Sequence, residues 1–249
     1  ASEDPGDVRF CFTDSNGCNL PPSAERKIEN LYIRDDFQRP DPESIKRVHT
    51  LSDVPVFYMR SLMDSVDTEK IREKNYKILV FSNGNRLGNN ILHRVLKESG
   101  CHIQSCPNDP EQVRKQGGFD LSCQMSADCE TITLFDEKGD PVDPEIQRAI
   151  VSLIYLRGKP DGKIAVPCTA PDIFDQLAEE YSCTVVRTKS SKQALMAEIY
   201  GTPLFPLYFD GTAVLLKLLE WMAREDVALS QLVREIPEFH VREKEIPCP

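Results

Sequence analysis

The stretch "YKILVFSNGNRLGNNILHRVLKESGCHIQ", residues 76–104, decides how the chain is built. Ile78–Phe81 is an unbroken apolar run, as expected of a parallel strand covered on both faces. A Gly/Asn turn follows. Ile91, Leu92, Val95 and Leu96 then recur with helical spacing, and Gly100 ends the helix. A short strand at Ile103 completes a strand–helix–strand unit. "KIAVP" (163–167), a helix carrying Ile173, Phe174, Leu177 and Tyr181, and "CTVVRT" (183–188) repeat the pattern. Thr169 is the expected cap of that second helix, with Pro171 in its first turn and Asp172 near a capping box. Two such units in tandem predict an α/β protein whose sheets are mixed and mainly parallel.

Outward from these units, three regions separate: residues 1–70, 71–157 and 158–249. The first holds "DVRFCF" (7–12), read as a strand with Val8, Phe10 and Phe12 on one face, closed by an Asp-Ser-Asn-Gly turn. A helix from about Ser23 is expected to carry Ile28, Leu31 and Tyr32 on an apolar face, and "RPDPESIKR" (39–47) reads as a linker. The second region also contains "SADCETITLFDEKG" (126–139), where Ile132 and Leu134 alternate with threonines as in a strand entering a hairpin, and a closing helix over about 145–156. The third contains a long apolar helix over 212–223.

At 249 residues, with 40% hydrophobic and 28% charged residues, the chain is long enough to bury a substantial core. Its longest apolar run falls well short of the ~18 residues a membrane span requires. The acidic start "ASEDPGD" lacks the basic flank and apolar core of a signal peptide; without an initiator Met, the sequence reads as part of something longer. A net charge of −10 argues against a nucleic-acid partner, which needs a clustered basic surface. Nine cysteines without zinc or disulfide spacing suit a reducing cytoplasm, where Cys acts as a small hydrophobe. The four histidines show no paired spacing.

Chemistry is expected in loops at the C-terminal ends of the strands. Gly84 and Gly88 lack the spacing of a dinucleotide loop, so turn chemistry outweighs phosphate binding there. "RTKSSK" (187–192) is either a phosphate grip or a solvated basic turn. Asp128 and Glu130 are spaced as Mg²⁺ ligands would be, since one or two carboxylates with water and phosphate suffice. A polar loop before a hairpin outweighs a working metal site, because Ser126 stands where a third carboxylate would fall.

Together "ERKIENLYIRDDFQRPDP", "ADCETITLFDEKGDPV", "IAVPCTA", "VVRTKSSKQALM" and "VREIPEFH" resemble the α-D-phosphohexomutases, the phosphomannomutase/phosphoglucomutase family. The likeness is strongest to the mutase-like region of bacterial mannose-1-phosphate guanylyltransferase-type fusions. It implies tandem mutase-like domains, with a partial first domain (1–70), a second (71–157), a third with its tail (158–249), and the fourth absent. It implies a phosphoserine and Mg²⁺ chemistry on hexose phosphates. The phosphoserine motif falls on "ASEDP", making Ser2 the nucleophile candidate. The metal loop falls on Ser126, Asp128 and Glu130, with Thr131 where the family has Arg. Arg187, Thr188 and Lys189 fall on a phosphate-contacting loop whose later members are replaced by Ser191 and Gln193, and "YGTPLFPLYFDG" leaves no room for the sugar loop. The resemblance therefore implies a catalytically silent, structural or regulatory region attached to a nucleotidyltransferase, with Mg²⁺ weak or lost. An active mutase interconverting hexose 1- and 6-phosphates, a sugar-phosphate-binding module and a homo-oligomer remain open alternatives.

Overall fold

The computed structural model describes residues 10–36, 38–47, 51–82, 84–106, 117–159 and 162–239. Strand β1 (Lys77–Phe81) lies at the centre of a four-stranded sheet. It pairs in parallel with β2 (His102–Cys106), Ile78 opposite Ile103, and with β3 (Leu121–Met125), Ile78 opposite Leu121. The short β4 (Ile132–Phe135) pairs antiparallel with β3, giving the order β2-β1-β3-β4. The apolar run of β1 is unbroken because both faces are covered. Ile78 and Val80 enter the main core, while Leu79 and Phe81 meet Phe135 in a separate cluster on the opposite face. There Phe81 and Phe135 pack edge to face, 6.1 Å between ring centres.

Helix α1 (Pro22–Ile33), α2 (Val54–Asp64) and α3 (Thr68–Lys74) precede this sheet. Between β1 and β2 runs α4 (Arg86–Glu98), which buries Leu92, Val95 and Leu96, and whose Asn85 side chain accepts the Gly88 amide at 2.9 Å as a cap. Gly100 ends it at φ +83°, and a Cβ there would lie 3.0 Å from the Arg72 Cα. The glycine thus supplies the left-handed turn and lets α3 approach.

After α5 (Pro144–Arg157), capped by Asp143, come β5 (Lys163–Pro167), α6 (Ile173–Glu180) and β6 (Thr184–Thr188). β5 and β6 form a two-stranded parallel sheet with Ile164 opposite Val185, so both expected strand–helix–strand units are present. Thr169 does not cap α6. The helix starts later, with Asp172 at its N-cap already in helical conformation (φ −70°, ψ −8°), because residues 168–171 are drawn into a turn closed by the Ala170 amide on the Pro167 carbonyl.

Helices α7 (Lys192–Ile199), α8 (Leu204–Phe209), α9 (Gly211–Glu225) and α10 (Leu229–Glu235) complete the fold. α9 packs against α2, α3, α5, α8 and β4, and buries Val214, Leu215, Leu216, Leu218, Leu219 and Met222. One apolar cluster runs through it from Met59 to Ile236 and takes residues from both sheets.

The N-terminal expectations need correction. The described part of "DVRFCF" forms no strand; an isolated bridge joins Thr13 to Asn19 across the expected turn, where the Asp14 carboxylate accepts the Asn16 and Cys18 amides. Phe10 and Phe12 are exposed. α1 begins at Pro22 without a side-chain cap, so Ser23 is inside the helix. None of its residues is buried, and Tyr32 is 74% exposed, so its apolar positions face away from the described core.

Asp210 holds the start of α9. Its carboxylate accepts the Thr212 and Ala213 amides at 2.9 and 3.1 Å and the Tyr58 hydroxyl at 2.6 Å, joining α2 to α9. Burial raises the Asp210 pKa despite these donors. Asp210→Ala should cost about 2 kcal/mol in urea unfolding, from the lost cap and the stranded Tyr58 hydroxyl. Asp210→Asn, which keeps an acceptor, should cost less.

Candidate functional site

The loop between β3 and β4, residues 126–131, turns on Ser126. Its hydroxyl lies 2.6 Å from the Asp128 Oδ1, to which it donates, and 3.0 Å from the Thr131 amide, whose bond it accepts. The Ser126 amide donates to the Thr131 carbonyl at 2.9 Å, closing the hairpin. Asp128 also accepts the Glu130 amide at 3.2 Å. This is local side-chain-to-backbone bonding of the kind that Ser and Asp bring to turns. Burial alone would push the Asp128 carboxyl up, but the Ser126 hydroxyl, the Glu130 amide and the Lys192 charge hold it below the ordinary carboxylate value.

The loop is seated from two sides. From α4, the Asn85 side-chain amide donates to the Ala127 carbonyl at 2.9 Å and reaches the Cys129 Sγ at 3.4 Å. Cys129 takes a left-handed conformation, φ +63°, directly over Gly88. A Cβ on Gly88 would stand 2.3 Å from the Cys129 Sγ. Gly88 therefore admits the loop, and this close approach accounts for a glycine inside a helix. From α9, the Gly211 amide donates to the Cys129 carbonyl at 3.1 Å, and a Cβ there would meet the Thr131 backbone at 2.9 Å. The Glu130 carboxylate is ion-paired with the ammonium of Lys192, the first residue of α7.

Arg187, Thr188 and Lys189 lie at and just past the end of β6. The Arg187 guanidinium donates to the Ala170 carbonyl at 2.6 Å and the Pro171 carbonyl at 3.3 Å, and pairs with Asp175 and, at 3.6 Å, with Asp172. The Thr188 hydroxyl donates to the Lys189 carbonyl at 3.0 Å. The Arg187 side chain thus braces the turn after β5, while Thr188 bonds locally after β6. Ser190 lies 3.4 Å from the Cys168 thiol, and Ser191 caps α7 by accepting the Ala194 amide.

Of the sequence candidates, Ser126, Asp128 and Glu130 are gathered in one loop; Arg187, Thr188 and Lys189 lie in another, and Lys192 ties the two regions together. Ser2 lies outside the described residues. The segment 200–211 contains α8, where Leu204 and Leu207 are buried and Phe205 packs on Phe209 with ring centres 5.4 Å apart. Among the described residues, no cluster of three or more His, Cys, Asp or Glu side chains could hold a metal, and no helix is long and apolar enough to cross a membrane. Asn85 and Cys129 are not singled out by the sequence; Gly88, read there as a turn glycine, lies inside α4, and Lys192 enters only as the end of the basic "RTKSSK" stretch.

No family model matches the sequence. It is 24% identical to a phosphopentomutase of Thermococcus kodakarensis, over 95% of this chain and 58% of that one. It is 22% identical to a probable phosphoglucosamine mutase of Pyrococcus abyssi over the same shares. In structure it superposes with a TM-score of 0.74 on a putative phosphomannomutase from Thermus thermophilus, at 17% identity, covering 90% of this chain and 58% of the other. It also matches a phosphoglucomutase/phosphomannomutase family protein from Burkholderia thailandensis, with a TM-score of 0.71 and 15% identity. The fold is that of the phosphohexomutases, and the sequence is phosphohexomutase-like. The chain spans somewhat more than half the length of these relatives.

Gly88→Ala should destabilise the protein by about 1–3 kcal/mol, the overpacking outweighing the ~1 kcal/mol that Ala gains in a helix. Adding Cys129→Ala, which removes the sulfur, should recover part of that loss in a urea melt. Ser126→Ala should raise the Asp128 pKa towards the ordinary carboxylate value, followed by NMR titration of the carboxyl. With its folded value lowered, the stability Asp128 contributes is full above the unfolded value and lost as pH falls through the folded one. The variant should flatten that acid limb.

Proposed function

We propose that this chain is a phosphohexomutase-like module that performs no phosphoryl transfer itself and serves a structural or regulatory part in a larger sugar-nucleotide enzyme. The observation that carries the reading is the internal use of the loop's oxygens. The Mg²⁺ implied by the family resemblance would need Asp128 and Glu130 as ligands. Asp128 is held by the Ser126 hydroxyl and the Glu130 amide, and Glu130 by Lys192. The donor set does not fit the ion, and Ser126 offers only a neutral hydroxyl already turned towards Asp128. Phosphoryl transfer rests almost wholly on positioning and charge neutralisation, so this difference falls on the part of a mutase that matters most.

The likeness to a phosphopentomutase and to phosphoglucosamine mutases along 95% of the chain favours a second reading, an active mutase acting on a sugar phosphate. A module that binds a hexose phosphate through Arg187, Thr188 and Lys189 is less well supported, because the Arg187 guanidinium already serves the 170–175 turn. An attached nucleotidyltransferase and self-association are further parts of the proposal. Cys101 and Cys123, buried thiols whose pKa burial pushes up to about 12, suit the reducing cytoplasm.

The test is a mutase assay on the longest natural form of the protein, with hexose and pentose 1-phosphates and millimolar Mg²⁺. The expected result is no turnover above buffer. Turnover that is lost when the chain is deleted from the parent would overturn the proposal in favour of the second reading.

A further inference from the structure

We propose that Lys192 is a built-in cation. Its ammonium supplies the positive charge that a divalent ion would otherwise bring to the 126–131 loop, and it holds that loop against α7 without metal.

The placement of Lys192 has no explanation within its own helix. It is the first residue of α7, an eight-residue helix, and a cation is disfavoured at a helix N-terminus, where the backbone already presents positive charge. The residue that accounts for the placement is Glu130, 62 positions earlier, whose carboxylate receives the ammonium. Both side chains are about two-thirds shielded, with relative exposures of 34% and 35%, so the pair is less screened than one at the open surface. The ammonium also stands 5.7 Å from the centre of the Phe209 ring, a second favourable site for a cation. Its charge reaches Asp128 as well. The ion pair itself is with Glu130; Asp128 is held by the Ser126 hydroxyl and the Glu130 amide.

The surroundings keep this arrangement in place. The Gly211 amide on the Cys129 carbonyl and the tight approach of Gly211 to Thr131 hold the loop to the start of α9. The Ser191 hydroxyl, accepting the Ala194 amide, fixes the beginning of α7 on the other side. A divalent ion bound by Asp128 and Glu130 would have to displace Lys192 from Glu130 and remain close to it, so ammonium and metal exclude each other. This role does not depend on catalytic silence. EDTA-insensitive mutase turnover would end the functional proposal and leave Lys192 as the loop's cation. Metal binding by the unmodified chain would remove Lys192 from that role whatever the turnover.

The test compares the unmodified protein with Lys192→Gln and Lys192→Arg. Bound Mn²⁺ is counted from loss of the free-ion electron paramagnetic resonance signal, and melting curves are recorded in millimolar Mg²⁺ and in EDTA. The unmodified chain and Lys192→Arg should bind no Mn²⁺ below millimolar concentration and shift by less than about 1 °C with Mg²⁺. Lys192→Gln should melt lower in EDTA, bind one Mn²⁺ at least tenfold more tightly than the unmodified chain, and recover part of its lost melting temperature in Mg²⁺. Submillimolar Mn²⁺ binding by the unmodified chain, or a Lys192→Gln variant as indifferent to metal as the unmodified chain, would overturn the proposal. If Lys192→Gln fails to fold in EDTA, refolding in Mg²⁺ decides the question: recovery supports the built-in cation, and failure under both conditions overturns it.

Discussion

The structure depends on α9 being apolar on nearly every side. Two small sheets, one of four strands and one of two, could not each bury enough surface to stand well alone. α9 reaches α2 and α3, β4, and α5 and α8, and its leucines complete one shared core. At ~25 cal/mol per Å², burying each of those leucines contributes roughly 2 kcal/mol, so the join between the units rests chiefly on hydrophobic burial. Polar contacts then set its geometry. Asp210 fixes where the helix begins, and Gly211, just after it, lets the β3–β4 loop come into contact.

That geometry explains the state of the loop. Because α9 and α4 press on it from two sides, its backbone is held by Asn85 and Gly211. Its side chains can then be committed to neighbours. Ser126 acts as a hydrogen-bond hub of the loop, and Lys192 brings a charge to Glu130. A loop that carries two carboxylates becomes a well-bonded corner of the molecule, with Glu130 ion-paired and Asp128 hydrogen-bonded.

Much of the fold was legible in the sequence. The continuous apolar runs 78–81 and 164–166 became parallel strands because they are covered on both faces, and the helical spacing of Leu92, Val95 and Leu96 identified the buried side of α4. β3 was not legible: "LSCQM" is short and mixes polar with apolar residues, yet Ser122 is buried in it. α2 was hidden by Pro55 and its neighbourhood of prolines and charges, although Pro is tolerated in a first helical turn. α1 misled in the opposite sense, since its apolar positions find no partner in the described core. Within the candidate site, the carboxylates and the serine were visible as a local pattern. The Glu130–Lys192 pair was not, because no local rule relates residues 62 apart. Nor could the sequence show that Arg187 is held by the carbonyls of Ala170 and Pro171.

The state of the loop turns on whether Lys192 or a metal ion engages Glu130. The most direct measurement is a crystal structure determined in millimolar MnCl₂, with anomalous data collected for manganese. The expected map shows no anomalous peak at the loop, with the Lys192 ammonium on the Glu130 carboxylate and the Ser126 hydroxyl on Asp128. A manganese peak between Asp128 and Glu130, with Lys192 turned away, would contradict it.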